Sequence, residues 1–229
     1  MLSPSILNSG TNEEGFFFFE MPYIMGDKYS EYLVKAGIEN VNGFIYSIIG
    51  QIDKNMNNAI LANIDGESIR NKITDVRSAI KTKMKTDSFI EEELDELLKK
   101  IPESEIPIGI CHGDLTLSNM IIRNDRIFLI DFLDSFIESP MIDYIKIRQE
   151  TKFKWSLFLE KEIPAYRKNK VIQILNYFDE ILVKHYENNV YIKKWYPFLE
   201  KFNLLRILPY VMDKQEEQFI INALKKTKQ

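Results

Sequence analysis

Apolar residues recur at helical spacing in three stretches of the chain, at residues 41–52, 69–80 and 171–185. In each stretch they follow the pattern i, i+3, i+4 and i+7, which gives an α-helix one buried face. A fourth, shorter helix is predicted to begin at a capping box, residues 88–91, and to run to about Lys100. The spacing therefore predicts a chain that is rich in helix.

Short apolar runs predict strands between these helices. Residues 16–21 form a dense aromatic run that ends at Pro22, which favours one buried strand. Residues 106–111 form a second short run. The only candidate domain boundary is the turn near Gly26.

A β-hairpin is predicted near the middle of the chain. Residues 120–123 and 126–131 have strand character, and Asn124 and Asp125 between them tolerate left-handed backbone angles. Together with the helices, this hairpin predicts an α+β fold that is mostly helical.

Composition narrows the class of protein. The chain has 229 residues, of which 45% are hydrophobic and 28% charged, as in an ordinary globular protein. The net charge of −4 provides no general attraction for nucleic acid, and no apolar run is long enough to span a membrane. Its one cysteine, Cys111, cannot form an internal disulfide, and the first 15 residues lack the layout of a secretory signal, so we expect a cytoplasmic protein.

Carboxylates are the best candidates for chemistry. Cys111, His112 and His185 are the only Cys and His residues, one fewer than a four-ligand Cys/His zinc site needs. Gly-x-Ser-x-Gly is absent, and two histidines leave little scope for a Ser/His/Asp hydrolase.

The most informative cluster is His112-Gly113-Asp114, followed by Asn119 and then by Asp131 at the end of the predicted hairpin. The returning strand of the hairpin would bring Asp131 near Asn119. Their oxygen atoms suit Mg²⁺, which is normally held by one or two side chains together with substrate phosphates. Asp114 would then be placed to accept a proton from an attacking hydroxyl group.

At these residues the sequence resembles the aminoglycoside phosphotransferase and choline kinase superfamily, distant relatives of the protein kinases. Residues 110–121 look like its catalytic loop and residues 129–132 like its metal-binding segment. By this resemblance Asp114 is the catalytic base, with His112 as a supporting member of the catalytic loop. Asn119 and Asp131 are implied to bind Mg²⁺, and Asp143 to brace the loop.

Residues 18–26 resemble the last strand of the family's small lobe and its hinge. The resemblance implies that Met21, Pro22 and Ile24 hold the adenine of ATP or another nucleoside triphosphate. Ile121 and Ile130 would form the apolar floor beneath the base.

The implied domain organisation is a remnant of the small lobe with the hinge at residues 1–25, followed by a kinase-like large lobe at residues 26–229. Within the large lobe the catalytic loop is residues 110–121, the metal segment residues 129–132 and the helical substrate region residues 140–229.

The sequence departs from this pattern before the hinge. Only fifteen residues precede the aromatic run, no Gly-x-Gly occurs, and no Lys or Arg comes before Lys28. Three explanations stay open: a fragment of a longer gene product, a separate polypeptide that supplies the missing part, or loss of catalysis. Because an adenine floor without a small lobe would expose apolar surface, we expect a second copy, another protein or the N-terminal arm to cover it.

The leading functional hypothesis is an ATP- and Mg²⁺-dependent phosphotransferase acting on a hydroxyl group of a small molecule such as an aminoglycoside, choline or a sugar. The alternative is a non-catalytic, kinase-like binding or regulatory module, or a fragment that needs a partner. A metal-dependent phosphoesterase ranks last, because it usually needs more histidines. Two further readings are open: Asp134 either assists metal binding or forms a turn, and the acidic residues 91–96 form either a groove or a solvated helix face.

Overall fold

The helices expected from apolar periodicity are all present in a computed structural model, which describes residues 1–84 and 87–227. The α-helices are α1 Tyr29–Lys35, α2 Ile38–Asn57, α3 Gly66–Lys83, α4 Ser88–Lys99, α5 Pro140–Arg148, α6 Trp155–Leu159, α7 Ala165–His185, α8 Val190–Ile207 and α9 Lys214–Lys226. The strands are β1 Asn8–Thr11, β2 Phe17–Glu20, β3 Asp27–Lys28, β4 Ile60–Ala62, β5 Ile106–Ile108, β6 Met120–Arg123 and β7 Arg126–Leu129. Residues 85–86 and 228–229, which fall within the predicted large lobe, lie outside the described residues.

The three predicted apolar stripes lie on α2, α3 and α7, and most of their residues are buried there. On α7, Ile174 and Ile181 are half-buried and His185 at the end of the helix is exposed. Helix α4 ends at Lys99, as expected, but its predicted capping box is wrong. Asp87 is the N-cap, and its side chain accepts a hydrogen bond from the Phe89 amide. Ser88 is already the first helical residue, because the aspartate one position earlier caps the same free amides.

The central hairpin is confirmed. Strands β6 and β7 pair antiparallel, and the turn residues Asn124 and Asp125 have φ values of 50° and 59°. These left-handed angles match the twist of the flanking strands. Strand β7 ends at Leu129 rather than at the predicted Asp131, which itself has a φ of 59° and so leaves the extended conformation.

The aromatic run does form a strand, but the prediction that this strand is buried is wrong. Strand β2 pairs only with β1, and every residue of β2 is exposed, with Phe17 71% exposed. Among the described elements, no further strand joins this two-stranded ribbon. An isolated hairpin has no second layer against which to bury its aromatic rings.

The core lies among the helices. Helix α5 packs against α2 and α8, and buried apolar residues fill the space between them. The three small sheets have the orders β1-β2, β3-β6-β7 and β4-β5. The α+β, mostly helical fold class is therefore confirmed. None of the described helices is long and apolar enough to cross a membrane.

Candidate active site

The loop between β5 and β6 is tied to the start of α5 by one buried carboxylate. Asp143 accepts hydrogen bonds from the backbone amides of His112, at 2.9 and 3.0 Å, and Gly113, at 3.1 Å. The start of α5 is fixed in turn by Ser139, whose side chain caps the helix and donates to the Pro107 carbonyl at 2.6 Å. These bonds connect strand β5, the loop and α5 into one rigid unit.

The ionised form of the Asp143 carboxyl group is electrostatically unfavourable, because the group is buried. Burial raises its pKa to about 7, although the two backbone amides act to lower it. The negative charges of Asp114 and Glu138 raise it further. A charge is tolerated there because the amides donate to it, and the same amides would lack a partner without it.

Gly113 is required by the geometry of this loop. Its φ is +80°, and a Cβ atom at this position would lie 1.9 Å from the carbonyl oxygen of Leu133. Any larger residue would therefore meet both backbone strain and a clash with a neighbouring segment. The glycine allows the segment that follows β7 to pass directly against the loop.

His112 is a buried organiser of the loop. Its Nδ1 accepts a long hydrogen bond from the Asp114 amide at 3.3 Å, and its ring stacks on Phe132 at 4.2 Å between centroids. Burial lowers the pKa of His112, while the Ile130 backbone and the charges of Asp114 and Asp131 act in the opposite direction. By accepting from the Asp114 amide, the neutral ring of His112 fixes the backbone at Asp114 and so the direction of the Asp114 side chain.

Asp114 is half-buried, and both of its carboxylate oxygens are oriented. Lys146, one turn along α5 from Asp143, lies 3.0 Å from Oδ1. The Asn119 Nδ2 donates to Oδ2 at 3.0 Å and to the Asp114 carbonyl at 2.9 Å. This arrangement uses the amide nitrogen of Asn119 and leaves its Oδ1 as the acceptor on that side chain.

Asp131 lies on a segment that is held against the loop from both sides. The Ile130 amide donates to the Asn119 carbonyl at 3.1 Å, and the Leu133 amide donates to the His112 carbonyl at 3.0 Å. The Asp131 side chain is exposed and makes no hydrogen bond or ion pair with any other described residue. Asp134 is likewise exposed.

The oxygen atoms of Asn119 and Asp131 fit Mg²⁺ by their chemistry. The amide oxygen of Asn119 and the unpaired carboxylate of Asp131 are the hard donors that this ion prefers. Within residues 1–84 and 87–227, no group of three or more His, Cys, Asp or Glu side chains is placed to hold a metal ion.

A cavity of about 1010 Å³ opens beside Asp114. It lies between α3, the loop, α5, α6 and the C-terminal end of α8, and Asp114 and Lys146 form part of its wall. The other predicted site residues do not line it. Its volume is in the range of cavities that hold small organic molecules.

The predicted nucleotide-binding residues are more exposed than the loop. Met21 is 41% exposed, Pro22 is also exposed, and Ile24 is half-buried. Strand β3 pairs with β6, and a Cβ atom on Gly26 would lie 2.7 Å from the Ile121 side chain, so the hinge segment ends beside Ile121.

Ile121 and Ile130, the expected adenine floor, are half-buried. Ile121 lies within β6, and Ile130 directly follows β7.

Of the cavity residues, the sequence analysis identified only Asp114, and Lys146 and Arg206 are the missed residues nearest in role to it. Lys146 carries a usable signal, because it lies three residues after Asp143 and so projects from the same side of α5. Arg206 lines the same cavity, but it is distant in the sequence and belongs to no motif, so only the fold brings it there.

Part of the chain, including this site, is similar to known proteins. Residues 70–166, which include the loop, the central hairpin and α5, match the phosphotransferase enzyme family (APH). The KEOPS complex subunit Bud32 of Pyrococcus abyssi is 35% identical over 86 residues, an alignment that covers 28% of this chain. The chain spans 39% of the length of that relative.

Solved structures show the same fold. The gentamicin complex of APH(2")-IIa aligns with a TM-score of 0.51 and 14% identity, over 100% of this chain and 74% of that one. The GDP complex of aminoglycoside 2'-phosphotransferase-IIIa aligns with a TM-score of 0.51 and 13% identity, over 98% and 75% of the two chains. These two structures show that the chain shares the protein-kinase-like fold, and the family match over residues 70–166 agrees with the resemblance found in the sequence.

Proposed function

We propose that this chain, which has the protein-kinase-like fold, transfers the terminal phosphoryl group of a nucleoside triphosphate such as ATP to a hydroxyl group of a small molecule. The observation that carries the proposal is the placement of Asp114. Its carboxylate is held by Lys146 and Asn119 in the wall of a cavity of about 1010 Å³. A fixed carboxylate facing such a cavity is suited to orient a hydroxyl group and accept its proton.

In this proposal each residue of the loop has a separate task. Asp114 binds the acceptor hydroxyl and takes up its proton as the new oxygen–phosphorus bond forms. His112 holds the backbone of Asp114 in position through its ring. Asp143 keeps the loop attached to α5, so that the base returns to the same place in every turnover.

Asn119 and Asp131 are proposed to hold Mg²⁺ together with the phosphates of the nucleotide. The ion would neutralise charge on the phosphates during transfer. The free carboxylate of Asp131 and the free amide oxygen of Asn119 support this assignment.

The nucleoside is proposed to lie against the hinge. The Pro22 carbonyl and the Ile24 amide would hydrogen-bond the base beside Met21, and the half-buried Ile121 and Ile130 would contact its face. Proline suits this position because only its carbonyl is required.

Two substitutions separate transfer from nucleotide binding. Asp114→Ala should abolish phosphoryl transfer and leave the thermal stabilisation by Mg²⁺ and ATP in place. Asp131→Ala should weaken that stabilisation instead. Full transfer by the Asp114 variant would refute the assignment of the base, as would an Asp131 variant that is stabilised by Mg²⁺ and ATP as well as the parent protein.

The exposed β1–β2 ribbon favours a second candidate, a kinase-like module that docks a partner through this face. Phe16, Phe17 and Phe19 are each at least 55% exposed, which is unusual for clustered aromatic side chains. A second copy of the chain or a separate polypeptide would cover them. If Mg²⁺ with ATP or GTP gives no thermal shift and the chain associates with itself or a partner in solution, this candidate replaces the first.

A further inference from the structure

The cavity beside Asp114 is lined by charged side chains of both signs, and three of its cations form no salt bridge within the described residues. Lys28, Lys72 and Arg206 line the cavity, and none of them makes a salt bridge in the part of the chain that the structure describes. Their positions come from separate elements, which are β3, α3 and α8. Cations from three elements therefore meet around one space.

The same wall also contains four carboxylates, those of Asp75, Asp114, Glu160 and Glu216. Asp114 is paired with Lys146, and Glu216 accepts a hydrogen bond from the Met212 amide at 2.7 Å. The formal charges of the wall therefore balance, and the sign of a ligand's charge depends on which individual group it meets.

Arg206 is the most informative of these cations because it is half-buried. Its guanidinium lies 4.8 Å from the centroid of the Phe136 ring, and it makes no hydrogen bond with any described residue. Burial lowers the pKa of Arg206, and the nearby charge of Asp114 opposes that effect. The guanidinium and the Asp114 carboxylate therefore interact electrostatically.

An unpaired, partly desolvated guanidinium is unfavourable unless a ligand supplies the missing acceptor. Its five N–H groups form a planar fork that matches a carboxylate or a phosphate. A polycationic acceptor would instead place like charges beside Arg206, which is repulsive in a half-buried site.

We infer that the acceptor is a hydroxyl compound that also carries an acidic group, and that Arg206 binds this group while Asp114 faces the hydroxyl. The inference rests on the proposed phosphotransfer function and deepens it. Carboxylate and phosphate share the required chemistry, and the experiment below distinguishes them.

The test uses four probes that share one sugar ring: glucose, glucosamine, glucuronate and glucose 6-phosphate. Transfer from ATP in the presence of Mg²⁺ and thermal stabilisation without nucleotide are measured for each probe with the full chain. The variants are Arg206→Gln, Arg206→Lys and, as a matched control, Arg123→Gln at an exposed arginine of β6 that does not line the cavity.

The expected result is that glucuronate or glucose 6-phosphate is preferred over glucose and glucosamine. Arg206→Gln should raise KM for the preferred acid roughly 10- to 100-fold, the effect of losing a charge-assisted hydrogen bond, with a smaller change in kcat. Arg206→Lys should fall between Arg206→Gln and the parent protein, and Arg123→Gln should behave like the parent. The better of the two acids identifies the acidic group as a carboxylate or a phosphate.

Other outcomes separate this inference from the proposed function. Transfer to glucose or glucosamine that equals transfer to the acids overturns the inference and leaves phosphotransfer standing. If no probe is phosphorylated, stabilisation by an acid that Arg206→Gln removes supports the acidic ligand and counts against the proposed function. Absence of any stabilisation by either acid overturns the inference.

Discussion

The loop between β5 and β6 and the N-terminal ribbon are built in opposite ways. The loop contains buried residues and is tied to α5 and to the segment after β7 by hydrogen bonds of its backbone. The ribbon, β1 with β2, carries a run of exposed aromatic side chains, and its strands pair with no other described strand. The same chain thus contains a firmly held carboxylate, that of Asp114, and an exposed apolar surface.

The two regions also differ in how many energetically unfavourable features they contain. The loop holds a glycine that has no room for a Cβ atom and a buried carboxylate, which is unfavourable unless its surroundings compensate for it. The ribbon contains no comparable costs and no comparable packing. Substitutions in the two regions should therefore differ in size and in kind.

The largest expected effect comes from Asp114. Asp114→Asn keeps the shape of the side chain but removes the proton acceptor, so transfer should fall by about 10²- to 10⁴-fold. Steady-state transfer assays measure the loss. The control Asp95→Asn removes an exposed carboxylate from α4, where a surface ion pair contributes little, and should leave the rate unchanged. Equal rates for the Asp114 variant and the parent protein would contradict the role.

Two glycines with similar backbone angles give the most direct comparison of the regions. Gly113 in the loop has a φ of +80° and no room for a Cβ atom, whereas Gly15 in the ribbon has a φ of +84° and nothing within 4 Å. Gly15→Ala should cost about 1 kcal/mol of unfolding free energy, from backbone strain alone. Gly113→Ala should cost several times more, roughly 3 kcal/mol or above, because the clash adds to the strain. Urea unfolding tests this, and equal costs would mean that the loop is not held rigidly.

The buried carboxyl group of Asp143 predicts that the free energy of unfolding depends on pH. The pKa of Asp143 is 3.8 in the absence of the folded surroundings and about 7 in the folded chain. Because the folded state binds this proton more tightly, the contribution is complete at low pH and is lost as pH rises from about 4 to about 7. Asp143→Asn should remove this part of the slope of unfolding free energy against pH, as measured by urea unfolding at several pH values. A slope that is unchanged in the variant would show that another group is responsible.

The smallest effect is expected in the ribbon. Phe17→Ser removes a ring that is 71% exposed and should change the unfolding free energy by no more than about 0.5 kcal/mol. If a second copy or a partner covers this face, the same substitution should weaken association, which analytical ultracentrifugation measures. A large loss of stability in the monomer would show that the ring is packed in solution.

Most of the helices and the central hairpin could be predicted because their signals are local. The apolar stripe of α2 and the turn at Asn124 and Asp125 depend only on neighbouring residues. The proximity of Asp114 and Asn119 also has a local signal, since the two residues lie five positions apart in one motif and their side chains are hydrogen-bonded.

The predictions that failed and the residues that were missed depend mostly on contacts with residues distant in the sequence. The aromatic strand was expected to be buried, but burial is decided by whether another layer packs on it. Arg206 enters the cavity only because α8 returns to the loop, and nothing in its local sequence indicates this. The capping box failed for a different reason, since Asp87 and Ser88 are both competent caps and sequence alone does not choose between them.

Helix α5 contacts the loop twice within a single turn, through Asp143 at the backbone and through Lys146 at the Asp114 side chain. Rotating or sliding this helix would disturb both contacts together, so the orientation of the Asp114 carboxylate and the attachment of the loop depend on the same helix. Ser139 caps this helix and donates to the Pro107 carbonyl, so a change at Ser139 would displace Asp143 and Lys146 together.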